Sequence, residues 1–192
     1  RPAKGTFSAN VLEFAPLARV AGALPLNEEV RKLLGALARP VIDVSYCCAS
    51  ASATPNRWQE DMLSRPMTVE EIHEMVDAFG KTAKLLREAG VDGVEIHAVH
   101  EGYLLDQFTI ANWNHRTDEY GGSLDARMRF LLEVIAEIRE RCGKDFIIDV
   151  RISGDEYTDG GLTLNDMIYV SRRLEKAGVD MIHVSGEIGR AS

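Results

Sequence analysis

Between Thr68 and Ser185 the chain alternates helix-like and strand-like segments, and one junction recurs within that alternation. Ala89-Gly-Val-Asp92 leads into a run of strand-forming residues, and Ala177-Gly-Val-Asp180 leads into another. Each follows an amphipathic helical pattern, with Gly90 and Gly178 in the same place. Glycine after a helix suits any αβ unit, so the echo alone decides little. Together with the regular alternation it argues for parallel βαβ units. An open doubly wound sheet would hold a nucleotide on a glycine-rich turn after its first strand, and the chain contains no G-x-G-x-x-G. The long segments come after strands and before helices, where barrel enzymes place their active-site loops.

The individual elements carry physical signals. Thr68-Val-Glu-Glu71 is a capping box that starts a helix. Ile72, Met75, Val76, Phe79, Ala83, Leu86 and Ala89 follow at helical spacing. A strand is expected over Val91–Ala98, then a long loop. Ser123 caps a helix with Phe130, Leu131, Val134, Ile135 and Ile138 on one face. Phe146–Ile152 is nearly all apolar, as a strand covered on both faces is. A helix is expected from about Thr163 to Ala177 and a last strand over Asp180–Ser185. Upstream, Asn27 reads as the cap of a helix stopped by Pro40, and Val41–Tyr46 as a short strand. Residues 47–67 read as a long loop rich in Ser, Ala and Pro.

Composition narrows the partners. With 30 acids against 22 bases the net charge is −8. Nucleic-acid binders carry basic stripes. The one arginine-rich stretch, Arg127–Arg141, is interleaved with Glu133, Glu137 and Glu140 and reads as a solvated helix face. No nucleic-acid partner is expected. No apolar run is long enough to span a bilayer, and no signal peptide is visible. Cys47, Cys48 and Cys142 form no framework, which suits reduced thiols in the cytoplasm. The adjacent pair could serve redox or metal chemistry, although a buried or strand-end pair is the plainer reading.

Chemistry concentrates in Glu95-Ile-His-Ala-Val-His-Glu-Gly-Tyr103, at the end of a strand and the start of a loop. His97, His100 and Tyr103 are spaced by three, so a helical turn there would put all three on one side. Two imidazoles can donate hydrogen bonds to a carbonyl oxygen, and a phenol can donate a proton. The plainer alternative is two satisfied loop histidines and a packing tyrosine. Arg151 closes an otherwise apolar strand. It could pair with Glu95 or Asp149, or face a ligand and stabilise negative charge there. Asn114–Ser123 reads as scaffold, with Arg116 paired to Asp118 and Gly121-Gly122 turning the chain toward the Ser123 cap.

These motifs, in this order, resemble the old yellow enzyme family of NADH:flavin oxidoreductases. The resemblance rests on Gly93-Val-Glu-Ile-His-Ala-Val-His-Glu-Gly-Tyr-Leu-Leu-Asp-Gln-Phe108, Asn114-x-Arg-x-Asp-x-Tyr-Gly-Gly-Ser123, Arg127-x-Arg-Phe130 and Val150-Arg-Ile-Ser153. Glu101, between His100 and Gly102, is similar to the branch of 2-enoate reductases and dienoyl-CoA reductases. The resemblance implies a (β/α)8 TIM barrel of α/β class with FMN at its C-terminal mouth, and NADH or NADPH as reductant. It implies hydride transfer from reduced flavin to an α,β-unsaturated carbonyl such as a 2-enoate. His97 and His100 would bind the carbonyl oxygen, Tyr103 would supply a proton, and Arg151 would lie against the flavin. Because Glu101 adds a residue to the family's His-Gly-Tyr, which histidine faces substrate stays open.

A closed barrel of this type takes about 250 residues, and this chain has 192. The expectation is therefore a partial barrel over residues 40–192, with about strands 3–6 recognisable, preceded by an unassigned and helical segment over 1–39. Exposed sheet edges would invite a homo-oligomer or the missing barrel half. The competing reading is a truncated, cofactor-free barrel fragment without catalysis of its own.

Overall fold

The computed structural model describes residues 48–56, 59–100 and 102–186. The helix expected after Asn27, the strand over Val41–Tyr46, the boundary near residue 40 and Cys47 lie outside those residues. The chain divides into two compact units, one of residues 1–49 and 53–65, the other of residues 50–52 and 66–192. Short strands β1 (Ala49–Ser50), β2 (Pro55–Asn56), β3 (Gln59–Leu63) and β4 (Arg65–Pro66) occupy the stretch read as a plain loop. In the first unit β2 pairs antiparallel with β3. The Ser64 N–H donates to the Thr54 carbonyl at 2.9 Å, and the Thr54 N–H to the Ser64 hydroxyl at 3.1 Å. This corrects the loop expectation. A register shift between Pro55 and Asn56 makes the hairpin too short and irregular to leave an alternating pattern in the sequence.

The second unit is built as βαβ, as the alternation implies. Helix α1 (Val69–Glu88) opens with the capping box: the Thr68 hydroxyl accepts from the Glu71 N–H, and the Glu71 carboxylate accepts from the Thr68 N–H at 2.9 Å. Each satisfies an amide that the first turn leaves without a helical partner. Strand β5 (Gly93–Val99) follows, then two short helices, α2 (Leu104–Thr109) and α3 (Leu124–Arg127), then α4 (Arg129–Cys142), β6 (Ile147–Ser153), α5 (Leu164–Lys176) and β7 (Met181–Ser185). Ser123 caps α3 rather than α4, since Met128 interrupts the two. Thr163 caps α5 with a second capping box, closed by Asp166. Gly90 and Gly178 sit at φ +88° and +82°, the left-handed geometry that ends a helix and that glycine adopts without strain.

Strands β5, β6 and β7 form one parallel sheet in that order. Strand side chains alternate between faces. Ile96, Ile148, Val150 and Ile152 are buried on one face. With them in the core are Phe130, Leu131, Val134, Ile135 and Ile138 of α4 and Met167, Val170 and Leu174 of α5. Burying each such side chain contributes about 1.5–3 kcal/mol, and cutting Ile135 to alanine would cost about 2–5 kcal/mol. Glu95, His97, Asp149, Arg151 and His183 alternate onto the other face. Among the described residues β5 and β7 each pair with β6 alone, and no described helix is long and apolar enough to cross a membrane.

Two arginines of the stretch read as solvated do more than face water. Arg139 donates to the Phe146 carbonyl at 2.7 Å and to Asp180 at 2.7 Å, tying the end of α4 to the start of β7. Arg141 reaches Asp77 on α1 at 2.7 Å and also binds Glu137. The helical spacing of charge in the sequence shows which residues share a face, not which partners the loops bring to them.

Candidate active site

The parallel register sets the site. His97 on β5 aligns with Arg151 on β6, and Arg151 aligns with His183 on β7. A shift between His97 and Val99 bends β5 at its C-terminal end. The chain turns there through His100, and Tyr103 stands as the residue before α2. The His97 and His100 rings stack with centroids 5.0 Å apart, and Tyr103 meets His97 edge-on at 4.9 Å. The expected clustering is present. Its cause is different from the one expected: a strand end, a bulge and a helix start bring the rings together, not one helical turn.

Local bonds hold this turn. The Asp106 carboxylate accepts from the Gly102 N–H at 2.6 Å. The Gln107 amide donates to the Gly102 carbonyl at 2.7 Å, and the Ser50 hydroxyl donates to the Gln107 side-chain oxygen at 2.6 Å. Tyr103 is thereby placed on an anchored backbone, with its side chain 39% exposed. His100 lies 2% exposed, its Nδ1 2.8 Å from the Ser153 hydroxyl at the end of β6. Asp106, Gln107 and Ser153 escaped the sequence reading; only the Asp three positions into α2 carries a recognisable helix-start signal.

Arg151 does not pair with Glu95 or Asp149. Its Nη2 donates to the Ser185 hydroxyl at 2.9 Å, while Glu95 binds the His183 ring at 2.8 Å. That bond, with the Arg151 charge adding to it, holds the Glu95 carboxyl below the usual carboxylate range. Nε2 of His97 and Nε of Arg151 are among the buried polar atoms that have no hydrogen-bond partner among the described residues. Such orphans cost about 1–3 kcal/mol each and call for an explanation. A buried guanidinium N–H fits the electron-rich edge of a flavin, and a buried imidazole nitrogen fits a ligand oxygen.

The loop after α2 is scaffold, as read. Arg116 Nε donates to both Asp118 oxygens at 3.0 and 3.1 Å, and its Nη1 donates to the carbonyls of Ala51 and Met67. Asn114 donates to the Phe108 and Tyr120 carbonyls. The Tyr120 hydroxyl donates to Glu133 on α4 at 2.8 Å, and burial pushes that phenol far up from its ordinary value.

The chain is similar to several known proteins. Cinnamate reductase of Clostridium sporogenes is 42% identical over 160 residues, which make up 76% of this chain and 24% of that protein. A 2-naphthoyl-CoA reductase in complex with 2-naphthoyl-CoA superposes with a TM-score of 0.65 at 32% identity, over 71% of this chain and 20% of that one. An old yellow enzyme homologue from Zymomonas mobilis superposes with a TM-score of 0.62 at 27% identity, over 72% of this chain and 41% of its own. The chain thus spans from a fifth to two fifths of these relatives, and the sheet corresponds to part of their α/β barrel. The model of the NADH:flavin oxidoreductase / NADH oxidase family matches residues 27–187, and the chain belongs to that family.

Proposed function

We propose that this chain carries the substrate side of an FMN-dependent ene-reductase, acting on α,β-unsaturated carbonyl compounds of the 2-enoate type. The observation that carries the reading is the pair of buried atoms without a partner among the described residues, His97 Nε2 and Arg151 Nε, on register-paired residues beside Tyr103. A relative named cinnamate reductase supports an enoate as substrate. When bound, FMN reduced by NADH or NADPH supplies hydride to the β-carbon of the conjugated alkene.

The chain's own residues do the rest. Arg151 places a permanent cation and a buried N–H donor where negative charge on a flavin is stabilised. His97 and His100 offer imidazole N–H groups to the carbonyl oxygen and draw electron density from the alkene. Tyr103, half out in solvent and held by the start of α2, donates its phenolic proton to the α-carbon. The free, buried thiol of Cys142 accords with work in the cytoplasm, beside the nicotinamide pool.

The test is an absorption spectrum of the purified chain with added FMN, followed by an anaerobic assay with NADH or NADPH and an aryl 2-enoate. A bound-flavin band together with loss of the enoate absorbance is the expected result. A flavin band without enoate reduction would remove the substrate assignment. No band at any FMN concentration would leave a barrel scaffold without chemistry of its own.

A further inference from the structure

We infer that Ser153 is a positioning residue, whose hydroxyl donates to Nδ1 of His100 and fixes the hydrogen of that imidazole on Nε2. The inference rests on the proposed reading of His100 as a carbonyl-binding residue and names what makes it competent. Ser153 is fully buried and His100 is 2% exposed, and 2.8 Å separates Oγ from Nδ1. The distance alone allows either partner to donate.

The surroundings decide between the two. Nδ1 of His100 is the one hydrogen-bond partner of the Ser153 side chain among the described residues. If Nδ1–H donated to Oγ, the serine's own proton would be left buried with no acceptor, at a cost of about 1–3 kcal/mol. If the hydroxyl donates, the lone pair of Nδ1 is satisfied and only an oxygen lone pair goes unused, which buried groups tolerate better. The second arrangement is favoured. An imidazole whose Nδ1 accepts carries its hydrogen on Nε2, and Nε2–H is the donor state that polarising a carbonyl requires. The opposite tautomer would present a lone pair to the carbonyl oxygen and repel it.

The fold also fixes the hydroxyl. Ser153 aligns with Ser185 across the β6–β7 pair. The Gly154 N–H donates to the Ser185 carbonyl at 3.2 Å, and Arg151 donates to the Ser185 hydroxyl at 2.9 Å. The end of β6 is thus pinned on both sides of Ser153. Partners that orient a metal-ligating histidine typically contribute about 10- to 100-fold, and the low end of that range is the effect expected for one that orients a carbonyl-binding histidine.

The tautomer can be read by two-bond ¹⁵N–¹H correlation spectra of the ¹⁵N-histidine-labelled chain at a pH of about 8, above the ordinary histidine range. The His100 signals are assigned by their loss in His100→Asn. The expected result is an unprotonated Nδ1 and a protonated Nε2 in the wild type and in Ser153→Thr, and a mixture of tautomers in Ser153→Ala. A protonated Nδ1 in the wild type overturns the inference, as does a tautomer unchanged by Ser153→Ala. Should Ser153→Ala fail to fold, the wild type and Ser153→Thr still decide it. This readout needs neither flavin nor substrate. An Nε2–H tautomer in a chain that reduces no enoate would sink the proposed function and leave the Ser153 contact standing. In flavin-loaded protein, Ser153→Ala is expected to lower turnover about tenfold, with recovery in Ser153→Thr.

Discussion

Tyr103 stands edge-on to His97, ring centroids 4.9 Å apart with the planes at 68°. The phenol therefore sits beside the groups assigned to the carbonyl, at the start of a helix, whereas His97 lies on β5 and His100 in the turn that follows it. This separates the two roles. Tyr103→Phe keeps the ring contact and removes only the proton. Enoate turnover is expected to fall by about 10²–10⁴, while reduction of bound flavin by the nicotinamide proceeds at the wild-type rate. Rapid-mixing measurement of the two half-reactions checks this. Unchanged enoate reduction by the phenylalanine variant would take the proton-donor role away from Tyr103.

Arg151→Lys tests the orphaned guanidinium nitrogen. Lysine preserves the positive charge but presents a mobile point charge with no fixed N–H fork. The bond from Arg151 to Ser185 uses Nη2 and leaves Nε pointing at no partner among the described residues. FMN affinity is expected to drop about tenfold, the loss of about one good hydrogen bond to a charged group, by titration of flavin fluorescence. Equal affinity in the two proteins would mean that charge alone suffices.

What the sequence made legible depended on how local the cause was. The capping box at Thr68, the left-handed glycines at 90 and 178 and the apolar face of α4 are written within a turn or two of chain, and each formed where expected. So did the Arg116–Asp118 pair, two residues apart. The hairpin of β2 and β3 was not legible, since its register shift destroys alternation. Nor was the partner of Arg151: choosing Ser185 over Glu95 or Asp149 requires knowing that β7 lies against β6 and that His183 already holds Glu95. His97, His100 and Tyr103 were found for their spacing, yet that spacing meets on a bulged strand end. Composition of the site was readable, and its long-range wiring was not.

Asp118 should shape the acid limb of stability. The Arg116 guanidinium, followed by the Tyr120 N–H, holds its carboxyl below the usual aspartate range. A depressed folded value means that the ionised form is favoured on folding. Its contribution is present above the unfolded value, about 3.9, and is lost as pH falls from there through the folded value. Asp118→Asn is expected to lower stability by about 1–3 kcal/mol at pH 7. The wild-type and variant curves should draw together as pH falls below the unfolded value, by urea denaturation at a series of pH values. Parallel curves across that range would show that the carboxylate charge is not what the Arg116 contact uses.

Gly121 and Gly122 are adjacent glycines that the structure needs for different reasons, and alanine separates them. A Cβ on Gly121 would lie 2.0 Å from the Arg116 carbonyl oxygen and 2.4 Å from its carbon. Those are backbone atoms, and Arg116 is fixed by its bonds to Asp118, Ala51 and Met67, so neither side of the clash can yield without breaking the loop. A Cβ on Gly122 meets nothing within 4 Å, and the obstacle there is only its φ of +82°. Gly122→Ala should therefore cost about 1–2 kcal/mol, the strain of a left-handed residue. Gly121→Ala should cost at least about 3 kcal/mol and detach the loop that orients α2, so that Tyr103 loses its placement as well. Urea midpoints of the two variants, measured beside the wild type, rank them. A Gly121→Ala protein as stable as Gly122→Ala would mean that the Arg116 loop is not the rigid support these bonds describe.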